Sequence, residues 1–135
     1  MTMQILLHPT SFSVLAAVAS GGALGAVLRY SISVFFISND QSAFPWPTLI
    51  ANAIGAFFIG VIYVLILERG FIAEAWRPFL MIGLLGALTT FSTFSLEAVH
   101  LIQQTQWFLA VVYTLSSVLL CLLLTWLGMT LMRFL

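Results

Sequence analysis

The sequence predicts an all-α integral membrane protein with four transmembrane helices. Three observations lead there. Of 135 residues, 62% are hydrophobic and 6% charged, with a mean hydropathy of +1.17, a composition foreign to a water-soluble chain of this size. The apolar residues gather into four runs long enough to cross the roughly 30 Å hydrocarbon layer as helices. None of the runs alternates in the manner of a barrel strand, so backbone hydrogen bonding in lipid must be satisfied within each span.

The spans fall at about 13–37, 48–67, 78–97 and 107–132, within a single transmembrane domain covering 1–135. The stretch before the first span has no basic residue, which is not the pattern of a cleaved signal peptide. The link 38–47 is rich in turn-forming residues and ends in Pro-Trp-Pro. The link 68–78 carries Glu68, Arg69, Glu74 and Arg77, four of the eight charges, and 103–106 is a polar corner, Gln-Gln-Thr-Gln. Trp46, Trp76 and Trp107 stand at span ends, where interfacial anchors belong.

Small residues mark the first two spans as closely packed. Gly21 and Gly25 form a G-x-x-x-G face, and Ala51 with Gly55 repeats the small-x-x-x-small spacing. Spacing leaves open whether these faces meet within one chain or between two. Arg69, Arg77 and Arg133 lie on the side shared by both termini and the second link, against Arg29 toward the other, a slight excess favouring termini inside. So weak a bias permits insertion in both orientations.

The remaining charges are Asp40 and Glu97; lysine is absent and the net charge is zero, which argues against a nucleic-acid partner. The single cysteine, Cys121, has no intrachain disulfide partner. His8 and His100 read as solvated or interfacial residues, and no metal-ligand cluster, nucleophile–base pair or phosphate-binding loop is evident. The chain reads as something other than an enzyme, without an organic cofactor.

Function is sought where polarity enters lipid. The run 86–95 places hydroxyls at Thr89, Thr90, Ser92, Thr93 and Ser95 around Phe91 and Phe94, which share a helix face. Asn52 lies about a turn inside the second span. The fourth span presents Tyr113, Ser117, Cys121 and Thr125 at four-residue steps, a stripe that winds gently over roughly 18 Å. Such groups serve either as interhelical glue and core, or as the lining of a wet path. Amide and hydroxyl donors beside phenyl edges, with no fixed charge in the stripe, suit a small anion. A cation path would show carboxylates or converging carbonyls.

Three stretches, Gly22-Ala-Leu-Gly-Ala-Val-Leu-Arg-Tyr30, Pro47-Thr-Leu-Ile-Ala-Asn-Ala-Ile-Gly55 and Gly83-Leu-Leu-Gly-Ala-Leu-Thr-Thr-Phe-Ser-Thr-Phe-Ser-Leu-Glu97, resemble in order the signature stretches of the Fluc (CrcB) fluoride-channel family, over nearly the whole chain. The resemblance implies a passive, fluoride-selective channel in the prokaryotic inner (plasma) membrane, with the third helix broken near its middle. It further implies an antiparallel, dual-topology homodimer with two pores and a central structural sodium ion, Na+. Carried over by position, Asn52 donates to the permeating fluoride ion and Phe91 and Phe94 turn ring edges to it. Tyr113, Ser117, Cys121 and Thr125 form the polar track, with Cys121 where a serine is common. Backbone carbonyls of Gly86 and Thr89 hold the sodium. Ala87 and Pro47 stand where glycine is frequent, and neither change removes a ligand.

Arg29 lies about eight residues, roughly 12 Å, from the end of its span. It either snorkels or pairs with Glu97, or it forms a basic vestibule attracting anions. The resemblance does not choose. Two other classes compete with the channel. A small four-span multidrug-type exporter resembles proteins with an essential glutamate in the first span, and 13–37 has no carboxylate. A non-transporting assembly subunit accounts for the packing glycines but not for a polar stripe beside paired phenylalanines.

Overall fold

The structure is a computed structural model that describes residues 12–37 and 44–135. His8 and most of the first link lie outside the described residues. Helix α1 runs Phe12–Ile37. Helix α2, Trp46–Tyr63, starts with Pro47 in its first turn, where a missing N–H costs nothing, and continues as a wider π-helical turn, Val64–Glu68. After a short 3₁₀ turn, Glu74–Trp76, α3 comprises a π-helical stretch, Pro78–Leu85, and one α turn, Gly86–Leu88. Helix α4 follows at Phe91–Gln103 and α5 at Trp107–Phe134. Among the described residues four helical segments are long and apolar enough to cross a membrane: Phe12–Phe36, Trp46–Glu68, Glu74–Gln103 and Trp107–Phe134. The protein is a multi-pass membrane protein, and its outward surface is correspondingly apolar, with Phe35, Phe108, Leu119 and Leu122 exposed.

The small residues act within the chain. α1 packs chiefly against α3. A Cβ on Gly21 would overlap the Phe79 carbonyl oxygen, and one on Gly25 the Leu84 carbonyl oxygen, so the G-x-x-x-G face is what lets the two backbones touch. Ala51 is fully buried in a cluster with Leu85 and Leu88.

On the other side, α2 and α5 run parallel and are closely applied. Gly60 faces the Thr125 carbonyl and Gly128 the Phe57 carbonyl. At the end of this pair, Arg133 donates to the Glu68 carboxylate through Nε (2.8 Å) and Nη2 (2.5 Å), and Arg69 donates to the Arg133 carbonyl. Three of the loop and terminal charges thus hold two helix ends together.

Candidate functional site

Between Leu88 and Phe91 the chain leaves helical geometry. Thr89 (φ −84°, ψ 152°) and Thr90 (φ −151°, ψ 123°) are extended. Extended residues inside a span would leave backbone groups unpaired, a cost of several kcal/mol each in lipid. Asn52 meets part of that need: its Nδ2 donates to the Thr90 carbonyl at 3.1 Å, and the Thr90 N–H donates to Asn52 Oδ1 at 2.7 Å. Thr90 then caps α4, its Oγ1 accepting from the Thr93 N–H at 3.2 Å.

These bonds divert two donors. In a continuous helix the Thr90 N–H would serve the Gly86 carbonyl and the Thr93 N–H the Thr89 carbonyl. Here both go elsewhere, to Asn52 Oδ1 and Thr90 Oγ1. Gly86 and Thr89 therefore present carbonyl oxygens without their helical partners. Both residues line a cleft between the helices. Hard cations take such neutral oxygens as ligands, so the donor chemistry fits the sodium expected there.

The cleft measures about 450 Å³ and lies among α2, the α3–α4 junction and α5. Asn52, Phe91, Phe94, Ser117, Cys121 and Thr125 all line it. Side chains from three elements, up to 73 residues apart in sequence (Asn52 to Thr125), converge on one space. Among the described residues, none of those lining the cleft carries a charged side chain. Phe94 is buried, with its ring centroid 5.3 Å from that of Phe91 and 5.3 Å from that of Tyr113. Phe91 is 78% exposed, so its ring lines the cleft while standing proud of the single chain.

The hydroxyls of the fourth span are not equivalent. Thr125 donates to the Ala56 carbonyl at 3.0 Å, a glue contact between α5 and α2. Ser117 is 5% exposed and its Oγ has no partner among the described residues, although buried hydroxyls are nearly always paired. Cys121 is a partly buried free thiol.

Tyr113 is not brought to the cleft wall. It is fully buried, edge-on to Phe44 (5.5 Å between centroids), and its hydroxyl donates to Glu97 Oε2 at 2.7 Å. Thr48 donates to the other carboxylate oxygen at 2.8 Å. Glu97 thus finds its partners in Thr48 and Tyr113. Among the described residues no ion pair joins it to Arg29, which is half-buried.

Sequence reading singled out neither Thr48 nor Thr90. Thr48 lies one helical turn before Asn52 and hence on the same face, a signal that was available. Thr90 sits inside the hydroxyl-rich run, but its contact with Asn52 spans 38 residues and no local pattern shows it.

Comparison with known proteins agrees with this layout. Residues 16–129 match the family model described as CrcB-like protein, Camphor Resistance (CrcB). The chain is 48% identical over 118 residues to the fluoride-specific ion channel FluC of Saccharophagus degradans, covering 87% of this chain and 88% of that protein. It is 47% identical over 119 residues to the protein of the same name from Magnetococcus marinus (88% and 97%), and 47% identical over 111 residues to that of Shewanella sp. strain W3-18-1 (82% and 89%).

Proposed function

The chain belongs to the CrcB family, whose relatives here are named fluoride-specific ion channels, and from that premise we propose that it conducts fluoride passively out of the cell across the prokaryotic inner (plasma) membrane. It is a channel and not an enzyme. The observation that carries the reading is the convergence of Asn52, Phe91, Phe94, Ser117, Cys121 and Thr125 on one uncharged cleft.

The chemistry follows from those groups. Fluoride is small and strongly hydrated, so a path must replace its water with closely spaced donors and still release it. The Asn52 amide has two N–H groups; one is bonded to Thr90 and the geometry of that bond orients the other. The unpaired Ser117 hydroxyl supplies a further donor. Phenyl edges of Phe91 and Phe94 carry the positive part of the ring quadrupole. Tyr113 holds the Glu97 carboxylate at the end of the stripe with Thr48, and keeps that oxygen pair occupied by neutral donors. A weaker S–H donor at Cys121 makes that rung softer than a hydroxyl would. Downhill exit needs no coupled ion, and among the described residues no carboxylate lines the cleft to carry a proton.

The working unit is an antiparallel homodimer with two pores. The exposed Phe91 beside an open-sided cleft supports this reading, since a second copy would cover the ring and close the wall. A hard cation takes more oxygens than one chain's Gly86 and Thr89 carbonyls provide. The twofold-related pair from the second copy would complete the set around a structural sodium, neutralising converging carbonyl dipoles at the centre.

Purified protein in liposomes loaded with fluoride or chloride provides the test. Fluoride efflux with little chloride efflux is expected, and silence for both ions from folded protein overturns the channel. Labelling a C-terminal tag from each side of native membranes tests topology. Both orientations are expected, and a single orientation defeats the antiparallel dimer.

A further inference from the structure

Cys121 departs from the hydroxyl pattern of its stripe, and its surroundings give the departure a consequence. α2 and α5 are parallel, and Thr125 on α5 is bonded to the carbonyl of Ala56 on α2. Stepping back four residues, about 6 Å, along each helix brings Cys121 to the height of Asn52. Both line the cleft, and the thiol is partly exposed to it. Thr90, bound to Asn52, lines the same level. The cysteine therefore stands at the level of Asn52 and Thr90 in the proposed path, on which this inference rests.

A second observation supports access of small polar species to this level. One turn before Cys121, Ser117 is 95% buried by accessible area, lines the same cleft, and its hydroxyl has no partner among the described residues. A hydroxyl so placed is satisfied by something that enters the cleft, water or an ion. What reaches Ser117 passes within a turn of the thiol.

We propose that Cys121 is a covalent modification site for small, uncharged thiol-reactive electrophiles of the thiosulfonate or low-molecular-weight disulfide class, and that the adduct closes the cleft. With methyl methanethiosulfonate the Cys121 thiolate sulfur attacks the sulfenyl sulfur. The new S–S bond carries a methylthio group, the reagent's S–S bond breaks, and methanesulfinate leaves with the electron pair. The thiol proton goes to buffer. A dithiol reverses the step: its two sulfurs are oxidised to a ring disulfide while Cys121 and methanethiol are released reduced. The methylthio group replaces a hydrogen with apolar bulk facing Asn52, and removes the S–H donor.

The test uses the full-length protein in liposomes and two independent readouts. Mass spectrometry of the treated, folded protein is expected to show one methylthio group per chain, absent from Cys121→Ser. Fluoride efflux of the parent, compared with its own untreated rate, is expected to fall at least about tenfold and to return with dithiothreitol. Cys121→Ser, also compared with its own untreated rate, is expected not to respond. A thiol that stays unmodified in folded protein but reacts after denaturation overturns the site. Full modification with undiminished efflux overturns the closure. If the untreated parent moves no fluoride, the channel reading and the closure both fail, while the mass measurement still decides whether Cys121 is reached.

Discussion

Asn52 and Thr90 hold each other by a two-way pair of hydrogen bonds, side-chain amide to backbone carbonyl and backbone N–H to side-chain oxygen, at 3.1 and 2.7 Å. The pair lets two extended residues stand inside a membrane span and takes the Thr90 N–H away from the Gly86 carbonyl, while the Thr90 hydroxyl takes the Thr93 N–H away from the Thr89 carbonyl. The proposed permeation role and the observed structural role therefore fall on one side chain.

Replacing Asn52 by alanine strands both Thr90 groups, each at about 1–3 kcal/mol, so a destabilisation on the order of 2–6 kcal/mol is expected together with loss of fluoride flux. Asn52→Asp keeps the acceptor for the Thr90 N–H and loses the amide donor. Its melting temperature in detergent should lie between those of the parent and the alanine variant. An alanine variant as stable as the parent would show that Thr90 is satisfied by another route.

Glu97 accepts from Thr48 and Tyr113 together. Tyr113→Phe leaves the ring between Phe44 and Phe94 and removes only the hydroxyl. A double-mutant cycle with Glu97→Gln is expected to give a coupling energy of about 1–2 kcal/mol in chemical or thermal unfolding, because the two groups share one bond. Additive effects would mean that the carboxylate and the phenol act separately.

The packing glycines separate cleanly. Gly25→Ala drives a methyl into the Leu84 carbonyl and is expected to cost roughly 1–3 kcal/mol as an overpacked contact. Gly22→Ala meets nothing within 4 Å and is expected to be neutral or to stabilise α1 by up to about 1 kcal/mol through helix propensity. Size-exclusion profiles after graded heating distinguish the two, and equal behaviour would refute the assigned α1–α3 contact.

Arg29 has no carboxylate partner among the described residues, since Glu97 is bonded to Thr48 and Tyr113. A basic group left to attract anions acts over the Debye length, about 10 Å at 0.1 M salt. Arg29→Gln is accordingly expected to slow fluoride flux several-fold at low ionic strength and much less at high. A loss independent of salt would assign the arginine to structure instead.

Much of the site was legible because its chemistry is expensive in lipid. Asn52, Phe91, Phe94 and the four-residue stripe from Tyr113 to Thr125 stand out against apolar surroundings, and six of these seven line the cleft. Tyr113 shows the limit of spacing: helical register put it in the stripe, but its hydroxyl is taken by Glu97 from a neighbouring helix. The Arg29–Glu97 pair, one of the alternatives the sequence left open, is not formed among the described residues, because a carboxylate chooses among all donors that packing brings near it.

The sequence alone determined the solvent, the number of spans, their approximate ends and which residue types had to be accounted for, because hydrophobic length and the cost of polar groups in hydrocarbon are local properties of the chain. Only the tertiary structure decided which of those groups are spent on one another. It gave Asn52 to Thr90, Thr125 to Ala56 and Tyr113 to Glu97, and it left Ser117 unpaired in the cleft. Hydrogen-bond partners 38, 69 and 16 residues apart are set by how helices dock, and docking here follows from glycines and alanines whose contacts have no signature along the chain.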